Sequence, residues 1–97
     1  MRTMMKVSVP VEMGNTTVQN GTLPRVIREA LERLKPESAY FFTENGARTV
    51  QMVFDLKDVA DIPVIAEPFF MALNAGVSFT PVMSADDLKK GLAGASK

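Results

Sequence analysis

Cysteine, histidine and tryptophan are all absent from this 97-residue sequence. The lack of cysteine excludes disulfides, thiolate nucleophiles and iron–sulfur ligands. The lack of histidine removes the commonest metal ligand and the side chain that ordinarily titrates near neutral pH. We therefore expect any activity of this chain to proceed without a cofactor and without a bound metal ion.

An excess of one charge and a long uninterrupted apolar run are missing as well. Eleven basic residues balance eleven acidic ones, so no broad field attracts nucleic acid or an anionic membrane. The most apolar stretch, 62–83, is broken by prolines, Glu67 and Asn74, and is not expected to span a membrane. Residues 1–6 do not lead into the apolar segment of a secretory signal, so we expect a cytoplasmic protein.

The remaining composition is that of an ordinary globular protein, with 46% hydrophobic and 23% charged residues. Its length suits one domain with one modest core. We expect a single domain over 1–97, frayed at 1–3 and 94–97.

The first third of the chain predicts a strand and then a helix. Alternating apolar residues from Met5 to Val11 indicate a strand with one buried face. Leucine and isoleucine at helical spacing predict a helix from Thr22, taken as its cap, to Lys35. An earlier start near Asn15 remains open, although it would place Gly21 and Pro24 inside the helix.

The middle of the chain predicts a β-hairpin. Two β-rich runs, 38–43 and 48–54, flank Asn45-Gly46, the strongest short signal for a two-residue turn. With that turn, Thr43 faces Arg48, and the pairs 41/50 and 39/52 lie on the same side of the sheet. The other side then carries Tyr40, Phe42, Thr49, Gln51 and Val53.

The last third predicts a helix, a strand and a short helix. Asp61 is taken as the cap of the first helix and Gly76 as its terminator, and its inward stripe consists of Ile62, Ala66, Phe69 and Leu73. Alternation over 77–83 predicts a fourth strand. Ser84 and Asp87 form a capping-box pattern that opens a short helix reaching about residue 92.

The order β-α-β-β-α-β predicts an α+β, ferredoxin-like domain with both main helices on one face of a four-stranded antiparallel sheet. The uncovered face, here called the open face, carries Lys6, Ser8, Tyr40, Phe42, Thr49, Gln51, Val53, Ser78, Thr80 and Val82. This mixture is too aromatic and β-branched for a solvated surface. We therefore predict that a second copy covers it, which makes the protein a homodimer.

Sequence features throughout the chain resemble a small uncharacterised bacterial family of the dimeric α+β-barrel superfamily. They are the valine-rich first strand, Leu34-Lys35-Pro36-Glu37, Ala39-Tyr40-Phe41, Glu44-Asn45-Gly46, Ala66-Glu67-Pro68-Phe69 and Pro81-Val82-Met83. The resemblance implies two ferredoxin-like sheets paired face to face. Relatives in the superfamily include cofactor-free monooxygenases, muconolactone-isomerase-like enzymes and haem-degrading enzymes. Several use a histidine that this chain lacks.

Three residues are candidates for ligand binding. Tyr40 can donate a hydrogen bond inside a barrel, or serve only as an aromatic dimer contact. Arg48 can bind a carboxylate or phosphate, or pair with Glu44 at the hairpin end. Glu67 can act as a base, although the helical wheel turns it about 140° from Ile62, toward water.

RNA-recognition motifs share this order of strands and helices, so RNA binding is an alternative function for such a fold. Their third strand presents stacking aromatics on the open face. Here residues 49, 51 and 53 point outward and Phe54 points inward. We therefore expect no nucleic-acid partner.

Two functional hypotheses follow. In the first, the homodimer binds a small, partly apolar organic molecule, with or without cofactor-independent chemistry. In the second, the domain is a non-catalytic interaction or regulatory module whose open face serves self-association alone. The proposed dimer surface in both cases comprises Phe42, Thr49, Gln51, Val53, Ser78, Thr80 and Val82.

Overall fold

The computed structural model describes residues 1–95, which fold in the order β-α-α-β-β-α-β-α. The elements are β1 (Arg2–Val9), α1 (Val11–Gln19), α2 (Thr22–Leu34), β2 (Ser38–Glu44), β3 (Ala47–Asp55), α3 (Asp61–Leu73), β4 (Gly76–Pro81) and α4 (Ala85–Ala95). The strands form one antiparallel sheet in the order β2-β3-β1-β4. This confirms the α+β class and a sheet consistent with a ferredoxin-like fold.

The β2–β3 hairpin forms as the turn residues predict. Asn45 and Gly46 adopt positive φ angles of 53° and 77°, which a two-residue turn of this kind requires. The pairs Thr43 with Arg48, 41 with 50 and 39 with 52 are all confirmed. The turn therefore fixes which side chains face the helices and which face away.

The core lies between one face of the sheet and helices α2 and α3. From the sheet, β1 and β3 contribute alternate residues. The buried residues of α3 are Ile65, Ala66, Phe69 and Leu73, so three members of the expected stripe are confirmed, whereas Ile62 is only half-buried and Ile65 takes its place in the core. The most deeply buried large side chains in the described residues are Phe69, Met5, Met52, Leu73, Val7, Val9 and Thr3. The opposite face of the sheet has no helix packed on it among these core contacts.

The region after β1 differs from the sequence expectation. Val11 was expected to end the first strand, but Pro10 breaks the alternation and Val11 begins α1. A separate helix α2 follows, with Gly21 at its N-cap in the left-handed region at φ 83°. Because Gly21 occupies the N-cap and Thr22 is the first helical residue, the predicted capping role of Thr22 is wrong. Instead, the side chain of Asn20 accepts a 3.0 Å hydrogen bond from the Thr22 N–H.

The ends of α3 also differ from the sequence expectation. Ala60 occupies the N-cap, and Asp61 is the first helical residue. The helix ends at Asn74, whose φ of 52° lies in the left-handed region, so the predicted terminator Gly76 instead begins β4. Asparagine tolerates this conformation better than most residues, which explains the earlier stop.

Both ends of the chain are more regular than expected. Arg2 and Thr3 belong to β1, although 1–3 were expected to fray. The capping box at the start of α4 is confirmed by reciprocal hydrogen bonds of 3.1 and 3.0 Å between Ser84 and Asp87. The expected frayed segment 94–97 is helical through Ala95, and residues 96 and 97 lie outside the described part.

Helix α4 projects from the domain. None of its described residues is buried. The molecule measures 55 × 28 × 18 Å, and its radius of gyration is 15.4 Å. A compact domain of this length has a radius of gyration of about 12 to 13 Å. The C-terminal helix therefore extends beyond the body that the sheet and α1–α3 form.

Candidate functional site

The open face is arranged by the register of its strands. Lys6 on β1 lies between Gln51 on β3 and Ser78 on β4, and Tyr40 lies beyond Gln51 on β2. Tyr40 is 64% exposed and Phe42 is 36% exposed. Aromatic surface of this kind, beside hydroxyl and amide groups, suits contact with another molecule better than contact with water.

Two contacts on the open face modify the expected surface. Thr49 is 3% exposed, and its hydroxyl donates to the carbonyl oxygen of Ala47, so it contributes little free surface. Lys6 Nζ lies 3.2 Å from both carboxylate oxygens of Glu44. This ion pair occupies Glu44, so the pairing of Glu44 with Arg48 that the sequence left open does not occur.

Arg48 instead turns toward the helical side of the sheet. Its Nη1 donates a 3.2 Å hydrogen bond to the side-chain oxygen of Asn15 on α1. The guanidinium also lies against Gly14, where a Cβ would be 2.6 Å from Nη1. Glycine at this point of α1 thus leaves the room that the arginine side chain occupies.

An apolar cleft of about 320 Å³ lies beside Arg48, between the hairpin and the start of α2. The cleft is open to solvent because β2 lies at the edge of the sheet. Phe41 faces the helical side from β2 but remains 54% exposed. The described lining residues are Val9, Leu23, Ile27, Phe41, Phe42, Thr43, Arg48, Thr49 and Val50. Largely apolar walls with a few polar side chains, here two threonines and one arginine, are typical of a site for a small amphipathic ligand.

The three sequence candidates do not meet within one chain. Tyr40 is on the open face, whereas Arg48 is bonded to α1 on the helical side. Glu67 is exposed on α3, as the helical wheel indicates. Only Arg48 among them lines the apolar cleft. Sequence reasoning missed Asn15 and Phe41 as site residues, because their roles depend on α1 and on the edge position of β2.

A charged cluster lies at the other end of the sheet, where β1 begins. Arg2 Nε lies 2.6 Å from a Glu37 oxygen, and Arg2 Nη1 lies 3.5 Å from Asp87. Both Lys57 and the ammonium of Met1 lie 2.7 Å from Asp55. Each acid in this cluster has a basic partner, which is the arrangement of an exposed structural network.

Hydrogen bonds, with smaller contributions from nearby charges, lower the pKa of two carboxylates in this cluster. The hydrogen bond from Lys57, followed by that from the Met1 ammonium, lowers the pKa of Asp55 to about 2. Hydrogen bonds from the backbone and then the side chain of Ser84 lower the pKa of Asp87. These shifts favour the ionised carboxylates, so neither group is poised to exchange a proton near neutral pH.

Other kinds of site are not seen in residues 1–95. No group of three or more acidic side chains there is placed to hold a metal ion. Every buried side-chain nitrogen or oxygen in this part of the chain has a hydrogen-bond partner. None of its helices is long and apolar enough to cross a membrane.

Comparison with known proteins does not assign this chain to a group. No protein-family model matches the sequence, and no curated protein matches it significantly.

Proposed function

We propose that the protein is a homodimer, paired through its open faces, which binds a small, partly apolar organic acid in the cleft beside Arg48. The observation that carries the ligand is Arg48, the single charged residue among those that line a largely apolar cleft of about 320 Å³. Such a volume falls at the lower end of the range for small-molecule pockets.

The chemistry of Arg48 favours an anionic head group. A guanidinium has five N–H donors, and the described bond to Asn15 uses a donor on Nη1 alone. The remaining donors match the geometry of a carboxylate, which arginine binds through two parallel hydrogen bonds. The side chains of Leu23, Ile27 and Phe41 then provide apolar contacts for the body of the ligand.

Thermal-shift and calorimetric titration with a panel of apolar carboxylic acids, each paired with its neutral amide, tests the proposal. We expect the acids to raise the melting temperature and the amides to have little effect. Replacing Arg48 with Gln should abolish the difference, whereas Arg28→Gln, which removes the same charge from the exposed side of α2, should preserve it. Equal responses to acids and amides in the wild type would refute the anion site.

The open face supports a second candidate, in which self-association is the whole function. Its supporting observation is the exposure of Tyr40 and Phe42 on a face that no helix covers. Under this alternative, sedimentation shows a dimer, but no member of the acid panel shifts its stability. The two candidates share the dimer and differ only in the occupancy of the cleft.

A further inference from the structure

The register of the sheet brings the first turns of α1 beside Arg48. Arg48 pairs with Val9, the last residue of β1, and Pro10 then leads the chain directly into α1. Gly14 is buried, and its N–H donates a 2.8 Å hydrogen bond to the carbonyl oxygen of Pro10. The position of α1 relative to Arg48 is therefore set by backbone that continues directly from the sheet.

Helix α1 covers one edge of the Arg48 guanidinium. A Cβ at Gly14 would lie 2.6 Å from Arg48 Nη1, 3.3 Å from Cδ and 3.4 Å from Cζ. Nη1 is the nitrogen cis to Cδ, so these contacts fall on the edge that Nη1 and Cδ share. Nη1 also donates its 3.2 Å hydrogen bond to the side-chain oxygen of Asn15. This edge, here called the Nη1 edge, is therefore occupied by atoms of the protein.

The opposite edge of the guanidinium carries Nε and Nη2. Neither nitrogen makes a hydrogen bond to another group within residues 1–95. Their two N–H groups are parallel, and their spacing matches the two oxygens of a carboxylate. Because the guanidinium is planar, a contact that fixes the Nη1 edge also fixes the direction of the Nε and Nη2 donors.

The bond to Asn15 restricts a long side chain before any ligand arrives. Arginine has a flexible stem, and ordering such a side chain during binding lowers the affinity by about three- to tenfold. An arginine that is already held avoids that loss. Asn15 is not among the residues that line the cleft, so its influence on a ligand passes through Arg48.

We infer that Asn15 is a positioning residue for the organic-acid site, which holds Arg48 by the Nη1 edge so that Nε and Nη2 together receive the ligand carboxylate. The inference rests on the proposed function. It adds the residue that orients the cation and the edge of the cation that binds the acid.

Calorimetric titration with phenylacetate and hexanoate, each paired with its neutral amide, tests the role of Asn15. Asn15→Leu removes the acceptor at similar size and should lower the ratio of acid to amide affinity by about three- to tenfold, with amide affinity unchanged. Asn15→Gln keeps an amide acceptor and should recover part of the ratio. Gln19→Leu, which removes an exposed amide from the same helix, should preserve it. Asn15→Ser, whose hydroxyl is too short to reach Nη1, repeats the test without an added apolar group.

The NMR signal of the Arg48 Nε–H tests the edge in the wild-type protein. The signal is assigned by its absence from the spectrum of Arg48→Gln. We expect phenylacetate to shift this signal, because the carboxylate accepts a hydrogen bond from Nε, and phenylacetamide to leave it in place.

The possible results separate the positioning role from the acid site. A ratio that is unchanged in Asn15→Leu and Asn15→Ser, or is lowered equally by Gln19→Leu, would overturn the role of Asn15 and leave the acid site intact. Acid binding that does not shift the Arg48 Nε–H signal would overturn the assigned edge. Equal affinities for acid and amide in the wild type would overturn the proposed function and this inference with it.

Discussion

Arg33 donates a 3.1 Å hydrogen bond from Nη1 to the carbonyl oxygen of Val64, the acceptor that Pro68 leaves without its usual helical donor. Residue 68 would normally supply an N–H to the carbonyl four residues earlier, but proline has none. A side chain of α2 thus replaces a backbone bond of α3 and joins the two helices.

A double-mutant cycle at positions 33 and 68 tests this coupling. Arg33→Met should lower the free energy of unfolding by about 0.5 to 1.5 kcal/mol because it removes the bond to Val64. In a Pro68→Ala background, the new backbone N–H of the substituted residue can occupy that carbonyl, and the same change should cost less. Urea denaturation supplies the four stabilities, and Arg28→Met is the matched control. Additive losses would show that Arg33 does not compensate for the proline.

The low pKa of Asp55 predicts a contribution to acid stability. Its folded pKa of about 2 lies below the reference value of 3.8, so its ionised form favours the folded state. That contribution is present above about pH 3.8 and is lost as the pH falls toward 2. We expect carboxyl NMR to show the pKa rising in Lys57→Gln and remaining near 2 in Arg28→Gln. An unchanged Asp55 titration in Lys57→Gln would contradict the assigned cause.

Replacing Val53 with Glu tests the open face as the dimer surface. Val53 lies opposite Met4 and Ser38 on β3, an interior strand of that face, and burying a carboxylate there should raise the dimer dissociation constant by roughly 100-fold or more. Sedimentation equilibrium measures the change. Val59→Glu is the control, because residue 59 is 73% exposed in the loop before α3. Equal dimer stability in the two variants would contradict the assignment of the sheet faces.

Gly14→Ala is predicted to alter ligand affinity without unfolding the domain. The new Cβ would lie 2.6 Å from Arg48 Nη1, but this is the far end of a flexible side chain that can move. Alanine also favours the helix by up to about 1 kcal/mol. We expect unchanged or higher stability together with weaker binding of apolar acids. Gly91→Ala, where a Cβ meets open space, should leave binding unchanged.

Mutation of the hydroxyl residues at the starts of α4 and α2 should change the stability of the two helices by different amounts. Ser84→Ala removes the cap of α4 and should weaken that helix by about 1 kcal/mol. Thr22→Ala should have little effect on α2, because Thr22 is the first helical residue and the N-cap position is occupied by Gly21. Amide hydrogen exchange in the first turn of each helix measures both effects. A larger acceleration of exchange in α2 than in α4 would reverse the expected order.

Local chemistry made the sheet predictable. The turn at Asn45-Gly46 requires positive φ angles at both positions, and it sets the faces of β2 and β3 without knowledge of the rest of the fold. Alternating valines then identify the buried side of β1. These signals act over a few residues, so the sequence alone is sufficient.

Helix α1 was not predictable in the same way. Its buried residues are Gly14 and Thr17, neither of which contributes to a hydrophobic period. The Thr17 hydroxyl donates a hydrogen bond to the carbonyl oxygen of Met13. This bond satisfies the hydroxyl within the helix, although threonine has a low helix propensity. The contact between Asn15 and Arg48 depends on this helix, so the cleft emerges only from the tertiary structure.

The projection of α4 also affects how the protein moves through a solvent. A body of 55 × 28 × 18 Å experiences more friction than a sphere of the same 10.6 kDa mass. In gel filtration, a single chain of this shape elutes early, at an apparent mass above its own. The elution volume therefore depends both on how far the C-terminal helix projects and on the number of chains in the particle. Light scattering measures the mass independently of shape.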